Sequence, residues 1–139
     1  MIHAIIDIGS NTVRMAIYQI EEGRIEMLMK RKHMVGLAAY LKNGVMQPAG
    51  IDRVSEVLNE YNEFLKSFHI TQVTAFTTAA LRNAKNSADA VAEIVRRTGI
   101  PVRVISGDEE AEFDFIGATH SLNDDSGLLV DIGGASTEV

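Results

Sequence analysis

A short hydrophobic motif occurs twice in the chain, and the two copies decide the fold. Residues 5–10 read Ile-Ile-Asp-Ile-Gly-Ser, and residues 129–134 read Leu-Val-Asp-Ile-Gly-Gly. In each copy a run typical of a buried strand ends in an aspartate and then turns at once through glycine. The first copy continues into a returning strand at 12–20, whereas the second is followed by only five residues. We therefore expect residues 1–139 to be a fragment of a longer protein.

Each Asp-Ile-Gly turn has the composition of a phosphate-binding loop. Glycine lets the backbone approach a ligand closely, and the small residues after it expose N–H groups that form an anion-binding nest. We expect the N–H groups of residues 9–11 to face solvent or a bound anion. Because the carboxylates of Asp7 and Asp131 repel phosphate, a divalent cation has to lie between them and the ligand. One such turn is as readily an ordinary hairpin, but two copies favour a phosphate site between facing turns.

Hydrophobic periodicity predicts the element order βββ–α–β–α–β–α–β, and so a mixed sheet covered by helices. Residues 36–50 are expected to form a loop with a short helical piece. The predicted strands are residues 3–8, 12–20, 24–35, 72–78, 102–105 and 128–132, and the predicted helices are residues 51–65, 87–98 and 108–120.

Composition excludes several classes of protein. A formal net charge of −6 argues against a general nucleic-acid-binding protein, because no basic field would attract phosphate backbones. No run approaches the ~18 apolar residues of a membrane helix, and Asp7 interrupts the first apolar run, unlike a secretory signal. The absence of cysteine excludes disulfides and thiolate metal sites and fits a reducing cytoplasm. We expect a cytoplasmic protein without nucleic-acid or membrane partners.

Two further segments place polar side chains near predicted strand ends. Residues 106–111 read Ser-Gly-Asp-Glu-Glu-Ala at the start of a predicted helix. The three acids complement the helix dipole, or one of them serves as a general base in a cleft. Arg82 follows the predicted strand at 72–78 and is placed to bind a phosphate bidentately, although an isolated arginine there is usually a surface residue. The residues alone leave both alternatives open.

Four ordered blocks together resemble the exopolyphosphatase/guanosine pentaphosphate phosphatase family, part of the RNase H-like superfold of actin, sugar kinases and Hsp70. The blocks are residues 7–12, 78–82, 105–111 and 131–138. The first and last are typical of the superfold, and the Ile-Ser-Gly-Asp-Glu-Glu-Ala block singles out the family. The resemblance implies an α/β fold with a mixed five-stranded sheet and flanking helices. It also implies a first domain at 1–113, with 114–139 as the first helix and strand of a truncated second domain.

The resemblance assigns a role to each matching residue. Glu110 is expected to be the catalytic glutamate that orients or deprotonates the attacking water. Asp131 and Glu138 are expected to be catalytic acids associated with magnesium, and Asp7 a further metal-associated carboxylate. The expected phosphate-binding residues are Gly9, Ser10, Asn11, Arg82, Gly133, Gly134, Ala135 and Ser136.

The activity that the resemblance implies is magnesium-dependent release of terminal phosphate from polyphosphate or guanosine pentaphosphate, with the fragment alone inactive. The sequence does not decide whether the full-length protein forms a homodimer. The alternatives are an ATPase or kinase of the same superfold and a non-catalytic sensor of phosphate or nucleotide.

Two residues depart from the family pattern. Ala135 replaces a glycine, which would cost about 1 kcal/mol or more if the position needs positive φ, and Glu112 replaces a common arginine, which puts affinity for long polyphosphate in question.

Overall fold

The computed structural model describes residues 1–120 and 127–138. In chain order the strands are β1 (Ile2–Ile8), β2 (Thr12–Glu21), β3 (Arg24–Met34), β4 (Leu41–Lys42), β5 (Val45–Met46), β6 (Val73–Thr77), β7 (Val102–Val104), β8 (Asp131–Ile132) and β9 (Thr137–Glu138). The helices are α1 (Pro48–Ser67), α2 (Ala79–Arg82), α3 (Ser87–Thr98) and α4 (Gly107–Thr119), with a 3₁₀ turn at Leu37–Tyr40.

Five strands form one mixed sheet in the order β3-β2-β1-β6-β7. The pairs β1–β2 and β2–β3 are antiparallel, because each is joined by a short turn. The pairs β1–β6 and β6–β7 are parallel, and the helices α1 and α3 make the crossovers that parallel strands require. The predicted mixed five-stranded α/β sheet with flanking helices is therefore confirmed.

The strand β1 shows how the sheet separates core from site. Its alternate residues Ala4, Ile6 and Ile8 are fully buried in the core with the apolar faces of α1 and α3. Because side chains alternate across a strand, Asp7 lies on the opposite face of the sheet. Tyr61 of α1 fastens the two layers by donating its hydroxyl to the carbonyl of Val13 at 3.1 Å. The core thus holds the sheet and leaves its other face to the site.

Three short elements differ from the sequence prediction. Residues 36–50 contain a hairpin of β4 and β5, whose turn residues Asn43 and Gly44 have φ of 52° and 77°. Positive φ at both central residues is the requirement of a type I′ turn, which the Asn-Gly pair signals. The four-residue helix α2 is too short to show helical periodicity. The prediction of a strand at 128–132 is too long, because only Asp131–Ile132 is a strand.

The proposed boundary between two domains falls inside a helix. Helix α4 runs without interruption from Gly107 to Thr119, across the predicted boundary at residue 113. Three of its large apolar side chains, Phe113, Phe115 and Ile116, are exposed. The division at 113 stays a prediction. Within the described part of the chain, no helix has both the length and the apolar character needed to cross a bilayer.

Candidate active site

The first Asp-Ile-Gly turn connects β1 to β2 and is closed by its own backbone. The Gly9 N–H donates to the Thr12 carbonyl at 2.9 Å, and a Cβ at Gly9 would lie 3.0 Å from that oxygen. The expectation that all three N–H groups of residues 9–11 face a ligand is therefore wrong for Gly9. The N–H groups of Ser10 and Asn11 donate to no other described residue. They are the two donors that this turn offers to an anion.

Neighbouring backbone holds this turn in place from behind. The Ser10 carbonyl accepts from the Ala38 N–H at 2.9 Å, and the Asn11 carbonyl accepts from Val35 and Gly36 at 2.9 and 2.8 Å. The C=O and N–H of a planar trans peptide point in opposite directions. Fixing the Ser10 carbonyl therefore aims the Asn11 N–H away from residues 35–38. The donor is oriented before any ligand arrives.

The second Asp-Ile-Gly turn repeats this geometry between β8 and β9. The Gly133 N–H donates to the Ser136 carbonyl at 2.9 Å, as Gly9 does to Thr12. Asp131 is opposite Glu138 in the strand register, as Asp7 is opposite Arg14. The repeat recognised in the sequence is therefore also a repeat of backbone structure.

The two turns approach each other closely and line one cleft. A Cβ built on Gly134 would lie 3.4 Å from the Cβ atoms of both Ser10 and Asn11, which is van der Waals contact. The cleft that both turns line has a volume of about 450 Å³. The predicted site residues that line it are Asp7, Gly9, Ser10, Asn11, Glu110, Asp131, Gly133, Gly134 and Ser136.

Two predicted site residues, Arg82 and Ala135, are not among the described residues that line the cleft. Arg82 contacts Glu110 with its Nη1 atom, and Ala135 is exposed beside the second turn. The side chain of Glu138 lies outside the described part of the chain. Ala135 has no positive φ, so alanine replaces the family's glycine there without backbone strain. Glu112, the other departure, is exposed and does not line the cleft.

The cleft concentrates negative charge around Asp7. Burial raises the pKa of the Asp7 carboxyl to about 6; the Arg14 guanidinium opposes this, and the carboxylates of Glu110 and Asp131 add to it. One oxygen of Asp7, Oδ1, is buried and has no hydrogen-bond partner. A buried carboxylate oxygen without a donor costs free energy unless a proton or a cation compensates its charge.

The carboxylates of the cleft are suited to a cation that substrate phosphates and waters also bind, rather than to one that the protein alone coordinates. Among residues 1–120 and 127–138, no three His, Cys, Asp or Glu side chains group closely enough to hold a metal ion. Magnesium is commonly bound by one or two carboxylates together with substrate phosphates and waters. Asp7, with its unpartnered oxygen, and Asp131 across the cleft can supply those carboxylates.

The start of α4 gives its two adjacent glutamates different surroundings. Ser106 and Glu109 form a capping box: the Ser106 Oγ accepts from the Glu109 N–H at 3.1 Å, and Glu109 Oε2 accepts from the Ser106 N–H at 2.9 Å. The bond from the Ser106 backbone holds the pKa of Glu109 below its usual value. Glu110, one residue later, faces the cleft. Glu109 thus caps the helix and Glu110 is available for chemistry.

Two charged cleft residues were missed from the sequence. Arg14 lines the cleft opposite Asp7, and Asp114 lines it one helical turn after Glu110. Each could have been found from its spacing. Arg14 follows from the register of the β1–β2 hairpin, and Asp114 from the i, i+4 relation to Glu110 on one helix face.

Comparison with known proteins agrees with this geometry. The model of the Ppx/GppA phosphatase family matches residues 16–139. The Aquifex aeolicus Ppx/GppA phosphatase, in its type II variant structure, is 32% identical with a TM-score of 0.84, over 99% of this chain and 46% of that one. An exopolyphosphatase from Cytophaga hutchinsonii is 29% identical with a TM-score of 0.91, over 99% of this chain and 45% of that one. The ethanolamine utilization protein EutJ from Carboxydothermus hydrogenoformans shares the fold alone, at 15% identity and a TM-score of 0.54.

The sheet order and the paired turns define a protein of the RNase H-like superfold that includes actin, sugar kinases and Hsp70. Within that superfold, the chain belongs to the Ppx/GppA phosphatase family. The family resemblance seen in the sequence is therefore confirmed. The chain spans less than half the length of the solved relatives it matches.

Proposed function

We propose that the full-length protein containing this chain is a magnesium-dependent hydrolase of terminal phosphoanhydride bonds. Its substrate is inorganic polyphosphate or guanosine pentaphosphate. The observation that carries the proposal is the pair of matched turns that line one cleft together with Glu110. Membership of a phosphatase family and the similarity to an exopolyphosphatase support this class of substrate.

The two turns would bind the phosphate oxygens. The backbone N–H groups of Ser10 and Asn11 donate to no other described residue. Gly134 of the second turn lies at van der Waals distance from both residues. Donors fixed in advance stabilise the charge that develops on phosphoryl oxygens without reorganising during the reaction. Magnesium held by Asp7 and Asp131 would supply further positive charge to the same oxygens.

Glu110 would act on the attacking water. In the hydrolysis, the water oxygen forms a bond to the terminal phosphorus while the bridging P–O bond breaks. The leaving chain keeps the bridging oxygen, and the water proton passes to the Glu110 carboxylate. Glu110 is the only glutamate among the described residues that line the cleft.

The experiment measures phosphate release by the full-length protein from polyphosphate, guanosine pentaphosphate and ATP, with magnesium and with excess EDTA. We expect release from one of the first two substrates to exceed release from ATP and to stop with EDTA. Preferred release from ATP would indicate an ATPase or kinase. Tight binding of a substrate without release would indicate a sensor.

A further inference from the structure

A partly buried ion pair joins Arg82 to the proposed general base. The Arg82 Nη1 donates to Glu110 Oε2 at 2.7 Å, and the two side chains are 17% and 14% exposed. The neighbouring pair of Arg103 and Glu109 lies at 3.1 Å, with exposures of 62% and 39%. Burial makes the first pair far less screened by solvent than the second.

The guanidinium is anchored to backbone as well as to the carboxylate. The same Nη1 donates to the Ile105 carbonyl at 3.2 Å. Ile105 is itself fixed, because it is buried and its N–H donates to the Thr77 carbonyl at 3.1 Å. Arg82 therefore ties Glu110 to the sheet through the segment that leads into α4.

The two partners of this pair differ in their relation to the cleft. Glu110 lines the cleft, whereas Arg82 is not among the described residues that line it, so the carboxylate lies nearer the cleft than the guanidinium does. Arg82 holds Oε2, whereas Glu110 Oε1 accepts no hydrogen bond from any described residue. One oxygen is thus held and the other is left for water.

We propose that Arg82 is a positioning residue that holds Glu110 for catalysis and is not a phosphate ligand. The proposal rests on the proposed function, in which Glu110 acts on water, and it differs from the phosphate-binding role that the sequence predicts for Arg82. The guanidinium limits the rotamers of Glu110 and balances its charge in a cleft that also contains Asp7 and Asp131.

A double-mutant cycle in the full-length protein tests this role. We expect Arg82→Gln to lower kcat by about 10²-fold, the order of loss from misplacing a reacting group, with KM for polyphosphate nearly unchanged. In a Glu110→Gln background, Arg82→Gln should cause no further loss. Arg82→Lys, which keeps the positive charge but loses the planar guanidinium, should recover part of kcat. The matched control Arg103→Gln should leave both constants unchanged.

Two outcomes of the cycle would overturn the proposal. One is a large rise in KM for Arg82→Gln with kcat preserved, as for a phosphate ligand. The other is a loss of rate in the Glu110→Gln background as large as in the wild type. If Arg82→Gln does not fold, Arg82→Lys carries the same cycle.

Crystal structures give a readout that does not depend on activity. In the wild type, Glu110 should contact Arg82, and in Arg82→Gln its carboxylate should leave the cleft or occupy several rotamers. An unchanged Glu110 in the variant would overturn the positioning role. A wild type without phosphate release would instead refute the proposed function, and the two structures would still decide whether Arg82 fixes Glu110.

Discussion

Glu109 and Glu110 are adjacent acids, but only the substitution of Glu110 should greatly lower the rate of phosphate release. Glu110→Gln in the full-length protein should lower the rate of phosphate release by about 10²- to 10⁴-fold, the usual loss for a general base. Glu109→Gln should leave the rate nearly unchanged, because Glu109 caps α4 and pairs with Arg103 outside the cleft. The measurement is steady-state phosphate release, for variants whose melting temperatures are first shown to match the wild type. Equal losses would mean that the cleft-facing acid has been wrongly assigned.

Asp7 should make the stability of the chain depend on pH. Its pKa is about 6 in the fold against 3.8 for an unperturbed aspartate, so between these values the folded chain holds a proton that the unfolded chain has lost. Stability therefore falls as pH rises from about 4 to about 6 and stays lower above that. Asp7→Asn should stabilise the chain by roughly 1–3 kcal/mol at pH 7.5 without metal, and by much less at pH 4.

Urea unfolding of both proteins at the two pH values measures this difference. Magnesium should stabilise the wild type at pH 7.5 and have little effect on Asp7→Asn, because the proposed cation site has then lost a carboxylate. A stability difference of the same size at pH 4 and pH 7.5 would contradict the raised pKa.

At the scale of elements, the side-chain amide of Asn86 joins the β4–β5 hairpin to the start of α3. Asn86 Oδ1 accepts from the Met46 N–H at 2.8 Å, and its Nδ2 donates to the Met46 carbonyl at 3.0 Å. Asn86→Ala should lower stability by about 1–3 kcal/mol, because the N–H and the carbonyl of buried Met46 both lose their hydrogen-bond partner. Urea unfolding measures the loss. Asn83→Ala, at an exposed asparagine nearby, is the matched control, and an equal loss there would refute the role of Asn86.

The sequence prediction is most accurate where an element has a clear hydrophobic pattern. The helix α3 was predicted with its observed limits, because Ala90, Val91 and Ile94 repeat at helical spacing and Gly99 ends it with φ of 70°. The hairpin β4–β5 and the helix α2 have two to four residues per element, too few for any periodicity. Short elements are set by tertiary contacts instead.

The candidate site was predictable to a similar degree. The repeated motif places both turns, but the choice between Glu109 and Glu110 depends on helical phase. The pattern of serine at 106 and glutamate at 109 is a capping-box signature that would have assigned Glu109 to the helix start. The contact of Arg82 with Glu110 joins residues 28 apart in sequence, and no local pattern reveals it.

At the scale of the whole molecule, the two walls of the cleft differ in how firmly they are held. The first turn belongs to the five-stranded sheet, whereas the second joins two strands of two residues each, and residues 131–135 are exposed. Catalysis by fixed donors requires both walls to be rigid. We expect residues 1–139 alone to release phosphate from polyphosphate no faster than their own Glu110→Gln variant, in a malachite-green assay with magnesium. Magnesium-dependent release above that control would show that the second turn needs no further support.

The equivalent strand positions beside the two turns have opposite charges, with Arg14 opposite Asp7 and Glu138 opposite Asp131. A linear polyphosphate has two identical ends, so either end can supply the terminal phosphate. Arg14 lines the cleft beside the first turn, and its positive charge attracts the more highly charged terminal phosphate to that wall. For the proposed substrate, the terminal phosphate would therefore lie beside the first turn, with the rest of the chain leading away from it.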